Sequence, residues 1–210
     1  MFNSIFDPDS AFSTFVNRLI DLVILNIIFI VCCLPVITMG PACSALYYSV
    51  VKSIRQQRSY CVREFFREFR ASLKKGILVH LILMALTFLS LRTDVPLMLS
   101  FFEAGTMDNI LPGLLFICKI LIPLGITCWI YPLMSRYEQG PLLCFQWALH
   151  LMLKHIPRTL YCIVIVFISV FLFWLEPLLI ALIPSVMTLL VSIFTEPILR
   201  GIAVKEDHPD

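Results

Sequence analysis

Five apolar runs, residues 19–37, 77–91, 110–134, 159–175 and 178–198, take up almost half of the 210-residue chain. A helix that spans a bilayer needs roughly 20 such residues, and the runs reach or approach that length. With 60% hydrophobic and 14% charged residues and a mean hydropathy of +0.92, the chain carries more apolar surface than one soluble core can hide. Soluble domains run near half apolar and a quarter charged. The expectation is an all-α polytopic membrane helical bundle, residues 1–210 forming a single membrane domain of about five transmembrane helices. The second and fourth runs are short, and the pair around Glu176 and Pro177 also reads as one re-entrant hairpin, so the count is five to within one.

Sidedness is read from the basic residues. Thirteen of the 16 Lys and Arg fall in segments 39–75, 135–158 and the C-terminal tail, whereas Arg18 and Arg92 lie among acidic neighbours in the segments between them. The positive-inside rule then places the C-terminus in the cytoplasm and the N-terminus outside. Residues 1–17 contain two aspartates and no basic residue, unlike a secretory signal, so the first run reads as a retained span. All eight cysteines fall in spans or on the cytoplasmic side, where disulfides do not persist, and are expected to be free thiols. They show no metal-ligand spacing.

Between the first two spans the chain reads CCLPVITMGPACSALYY at 32–48. Gly40 and Pro41 suit the end of one helix and the start of another. Positions 43, 46, 47, 50, 51 and 54 then form one apolar stripe. Val62, Phe65, Phe66, Phe69 and Leu73 form a second, with Arg63, Arg67, Arg70 and Lys74 on another face. The expectation is a cytoplasmic amphipathic hairpin over 41–75, lying on the membrane surface, its basic and aromatic faces directed at anionic lipid or at a partner protein.

Polar residues inside spans are costly and are usually paired or functional. The candidates are Asp21 and Asn26 in the first run, Lys119 in the third and Glu196 near the inner end of the fifth, with Asp21 or Glu176 as carboxylate partners for Lys119. Pro123 with Gly125, and Pro184, are expected to bend their helices. No phosphate loop, HExxH, Gly-x-Ser-x-Gly or polar carboxylate pair occurs, so no catalytic or cofactor-binding residues are assigned and the chain does not read as an enzyme. The basic stripe is interleaved with a membrane-seeking face, which argues against nucleic acid.

LPVITMGPACSALYY, REFFREFRASLKKG, YPLMSRYE at 131–138, HIPRTL at 155–160 and NRLIDLVILN at 17–26 together resemble the YesL family of bacterial membrane proteins, over nearly the whole chain and in order. The resemblance implies a polytopic protein of the bacterial plasma membrane. It also implies a role near carbohydrate uptake, because genes of that family lie beside sugar permeases. It brings no established activity, and so draws notice to Gly40, Pro41, Arg136, Glu138, Pro157 and Arg158 without assigning roles. Arg136 with Glu138 reads as an interfacial charge pair, and Pro157 with Arg158 as a helix start with an anchoring arginine. The functional expectation is an accessory or regulatory component of a carbohydrate ABC permease. The alternative is a small solute carrier acting alone as an oligomer, which needs several hydrogen-bonding side chains near the midplane. Beyond Asn26, Thr87, Lys119 and Thr127 the spans offer few.

Overall fold

A computed structural model describes residues 11–52, 60–104, 110–137, 140–175 and 182–207. Among these the chain is helical: α1 (Ala11–Cys33), a single 3-10 turn (Val36–Thr38), α2 (Met39–Val50), α3 (Cys61–Ala104), α4 (Ile110–Met134), α5 (Pro141–Lys154), α6 (Ile156–Leu175) and α7 (Ile183–Asp207). Prolines mark the starts. Pro41, Pro141, Pro157 and Pro184 all lie in first turns, where the missing N–H leaves no helical carbonyl without its donor. Pro184 therefore opens α7, and the bend expected from it is not made.

Three helices carry a stretch long and apolar enough to cross a bilayer: Val16–Cys33, Cys61–Leu89 and Ile183–Gly201. α5 and α6 qualify only as a pair, bent by 102°, and α4 contributes the shorter apolar stretch Cys118–Met134. Among the described residues, length and composition give three spans, or four with the bent pair, where the sequence reading has about five. Only 17% of the α1 window is buried, and Phe88 and Trp174 expose two-thirds or more of their surface. Without water to solvate backbone groups a bilayer admits such surfaces only as closed helices, which these are.

The break after α1 comes earlier than Gly40. Pro35 cannot donate, so the last turn of α1 closes with Leu34 N–H on Val31 O at 3.3 Å. The Thr38 hydroxyl takes up the carbonyls this leaves behind, 2.6 Å from Cys32 O and 2.8 Å from Pro35 O. Gly40 and Pro41 already belong to α2.

The hairpin expected over 41–75 is formed by α2 and the first part of α3, which pack on each other from Gly40 and Gly76 to Val50 and Cys61, but its apolar stripes are largely covered by protein. α2 is a core helix, with Gly40, Pro41, Ala42, Ser44, Ala45, Leu46 and Tyr47 all buried. The second stripe is the first part of α3, a continuous helix of 44 residues, about 66 Å long at 1.5 Å per residue. Its apolar residues turn toward protein. Phe65 is fully buried with Leu22, Leu25, Ala45, Leu46, Val50 and Cys61, and Phe69 packs on that cluster, its ring stacked on Phe65 at 6.0 Å. The stripe read as membrane-seeking is thus the seam between α3, α2 and α1. Burial between helices satisfies the same periodicity as burial in lipid, which is why the pattern alone misplaced it.

α2 and α3 cross where two glycines meet. A Cβ on Gly40 would lie 2.4 Å from Gly76 O and 2.7 Å from His80 Cβ; one on Gly76 would lie 2.8 Å from Pro41 N and Cδ. Small residues let helix backbones approach this closely. The role of Gly40 is the absence of a side chain, not freedom of its backbone.

Asp21 hydrogen-bonds the Cys61 thiol, two residues before the basic stripe begins, and Leu22 and Leu25 pack on Cys61 and Phe65. The N-terminal part of α1 therefore lies beside the start of α3. All eight cysteines are free thiols.

Candidate functional site

Two cavities adjoin within the bundle. The larger, about 730 Å³, is bounded by α1, α2, α4, α6 and α7, with Phe29, Cys43, Cys128, Val166, Met187 and Val191 among its walls. The hydroxyls that reach it are engaged elsewhere. Thr127 donates to Pro123 O at 2.7 Å, Ser169 to Ile165 O at 2.8 Å and Thr188 to Pro184 O at 2.7 Å. Each returns its proton to a carbonyl of its own helix four residues back, in two cases that of a proline, as serine and threonine do in apolar surroundings. Tyr131 pairs with His80 Nδ1 at 3.0 Å, and the Tyr47 hydroxyl lies 2.8 Å from Thr195 Oγ1.

The smaller cavity, about 300 Å³, is lined by Tyr48, Lys52, Ser135, Arg136, Tyr137 and Glu196, with Tyr47 forming a wall of both. Its polarity comes from two linked groups. In the first, the Lys52 ammonium donates to Tyr48 Oη and to Glu64 Oε2, each at 3.0 Å, while Arg67 donates to Tyr48 Oη at 2.7 Å and also pairs with Glu64. The Tyr48 hydroxyl, and then the Glu64 carboxylate, hold Lys52 protonated above the ordinary lysine range. In the second, Arg136 Nη2 donates to both oxygens of Glu196, and Arg200 Nε reaches Glu196 Oε2 at 3.1 Å. Glu196 is 1% exposed. A carboxylate so deep persists because two guanidiniums replace its hydration.

The YPLMSRYE segment is the hinge of this site. Tyr131 holds α3 through His80; Ser135 donates to Pro132 O at 2.8 Å where α4 ends; Arg136 holds α7 through Glu196; and Tyr137 donates to Leu199 O at 3.1 Å. Among the described residues the charge partner of Arg136 is Glu196, sixty residues away; Glu138 and Glu176 lie outside the described residues.

The other sequence candidates have mostly structural places. Asn26 is fully buried and accepts from Ser185 Oγ at 2.6 Å, tying α1 to α7. Asp21 is engaged with Cys61, and Lys119 is half-buried on α4. Arg63, Phe66, Arg67, Arg70 and Lys74 are exposed along α3, while Phe65 and Phe69 are removed from any lipid or partner surface. Pro157 and exposed Arg158 begin α6, and Thr159 beside them accepts from Trp129 Nε1 at 2.9 Å in the buried seam of α4 and α6. Tyr48, Lys52 and Glu64 were not among the candidates, and Glu196 was, though without its partners. The one signal for Glu196 was an acid deep in an apolar run with an arginine four residues on.

Several apolar helices, packed through glycine contacts and buried charge pairs and leaving much of their apolar surface outward, define a multi-pass membrane protein. Over residues 22–102, which run from α1 to near the end of α3 and include the Gly40–Gly76 crossing, the chain matches the family described as a protein of unknown function, DUF624. Neither the curated proteins nor the solved structures hold a match to it.

Proposed function

We propose that the chain is a non-catalytic accessory component of carbohydrate uptake in a bacterial plasma membrane, acting beside an ABC permease and not moving sugar itself. The observation that carries this choice over a carrier is the state of the large cavity. A sugar site presents hydrogen-bonding groups that compensate the hydroxyls it desolvates. Here Thr127, Ser169 and Thr188 return their hydrogen bonds to their own helices, Tyr47 and Tyr131 pair with Thr195 and His80, and the remaining wall is hydrocarbon and sulfur. The link to carbohydrate uptake rests on the resemblance to the YesL family.

Capture of the tagged protein from native membranes in mild detergent tests the reading, with sugar-permease subunits expected among the partners. In proteoliposomes the protein alone is expected to give no saturable sugar uptake; saturable uptake would establish the carrier in its place.

The basic end of α3 faces the cytoplasm in this reading, and the N-terminal end of α1 goes with it. In a background lacking the native cysteines, Asn17→Cys and Arg70→Cys are therefore expected to resist a membrane-impermeant maleimide equally in intact cells and to react after permeabilisation. Labelling of one position alone in intact cells would place the two ends on opposite sides.

A further inference from the structure

We propose that the two adjoining cavities form one binding site for an anionic lipid, the phosphate held in the polar cavity by Lys52 and Arg136 and an acyl chain lodged in the apolar one.

The first support is continuity. α2 lines the apolar cavity from Met39 to Tyr47 and the polar one from Tyr47 to Lys52. α4 lines the apolar cavity up to Pro132 and the polar one from Ser135 to Tyr137. α7 lines the apolar cavity up to Val191 and reaches the polar one at Glu196. Three helices thus pass, in the same chain direction, from a hydrocarbon wall to a charged one, and Tyr47 stands at the boundary. A ligand that fills both is amphiphilic, with its polar end fixed by the order of residues along each helix.

The second support is charge. Lys52 and Arg136 line the polar cavity against one carboxylate, Glu196; beyond its lining Glu64 is shared by Lys52 and Arg67, and Glu196 is shared by Arg136 and Arg200. The surplus is positive, and Arg136 engages Glu196 through Nη2 alone, so Nη1 and Nε lie outside that pair. A phosphate accepts from such donors in the geometry guanidinium favours. The Tyr48 hydroxyl, which only accepts from Lys52 and Arg67, adds a donor to the same wall. The third support is size: about 730 Å³ lies within the range of sites that enclose most of a ligand. This is a pocket with one occupant, unlike the additive attraction of exposed Arg63, Arg70 and Lys74 to a charged surface.

The test uses the full chain, purified and delipidated in a zwitterionic detergent, with three probes: dioleoyl phosphatidylglycerol, dioleoyl phosphatidylcholine and inorganic phosphate. Native mass spectrometry reads the bound lipid and a melting curve reads its effect. One phosphatidylglycerol is expected to be retained about tenfold more strongly than phosphatidylcholine of the same chains, with a saturable rise in Tm, and phosphate alone is expected to give none. Lys52→Gln is expected to lower that preference about fivefold, the size of one lost charge at a membrane surface. Met187→Trp, which narrows the apolar cavity, is expected to lower retention of both lipids with helical content unchanged. Val170→Trp, at a wall position that is 61% exposed, serves where Met187→Trp does not fold. Equal retention of the two lipids, a Tm rise with phosphate alone, or variants that bind as the parent does would each overturn the proposal.

Discussion

A single methyl group at Gly76 is expected to drive α2 and α3 apart. The Cβ of Gly76→Ala would stand 2.8 Å from Pro41 N and 2.9 Å from Pro41 Cα, and that of Gly40→Ala 2.4 Å from Gly76 O. These obstacles are backbone atoms inside helices, so no rotamer change relieves them and a helix has to move. Overpacking costs about 1–3 kcal/mol where side chains can yield. With backbone on both sides the cost falls at the upper end, about 3 kcal/mol for either alanine, and the pair is non-additive because one displacement accommodates both. The contact lies at the most extensive helix interface in the bundle, so the loss is expected in folding yield as well as in Tm. Gly201→Ala supplies the control. A Cβ there meets nothing within 4 Å, and in a helix alanine is favoured over glycine by about 1 kcal/mol, so this variant is expected to melt no lower than the parent. Equal Tm values for Gly76→Ala and Gly201→Ala would mean that the two helices do not cross at these glycines.

The helices themselves were largely legible, because apolar run length reads directly as helix: the run at 110–134 is α4 to the residue, and 159–175 lies within α6. What did not follow from sequence was the partner of each apolar face. Phe65 and Phe69 recur at helical spacing whether lipid, a partner or α1 and α2 cover them, and periodicity holds no information on which. Break position was legible only in part. Pro35, Gly40 and Pro41 were all visible, but a proline in a first turn and one that ends a helix look alike until the carbonyl acceptors are known, as Thr38 shows. The packing partner of the N-terminal half of α1 was not legible for a related reason. Counting Lys and Arg does not show that α2 turns back against α1 and brings Asp21 to Cys61. The candidate site was the least legible. Its charge pairs join positions 136 to 196 and 52 to 64, and one sequence read alone holds no record of the longer pairing.

Removing the Glu196 carboxylate is expected to cost about as much as a glycine clash, through electrostatics instead of sterics. Glu196→Ala leaves Arg136, whose side chain is 26% exposed, in a wall that also holds Lys52, with no carboxylate of the pair to balance it. Breaking a buried pair by deleting one partner costs about 3–5 kcal/mol. Partial exposure of Arg136 lets water recover some of that, so about 3 kcal/mol is expected. Arg200 is 57% exposed and is solvated once released, so Arg200→Ala is expected to cost less than about 1 kcal/mol. The double variant Arg136→Met/Glu196→Leu removes both buried charges and fills their volume with hydrocarbon, and is expected to recover most of the loss, since replacing a buried pair together is often neutral. Equilibrium unfolding in detergent for the single variants and the double one gives the coupling between the two residues. A coupling near zero would mean that Arg136 does not join α4 to α7 through Glu196. A large coupling with full recovery of stability would leave the charges themselves dispensable for folding, and lipid retention by that double variant would then read what Arg136 contributes to binding.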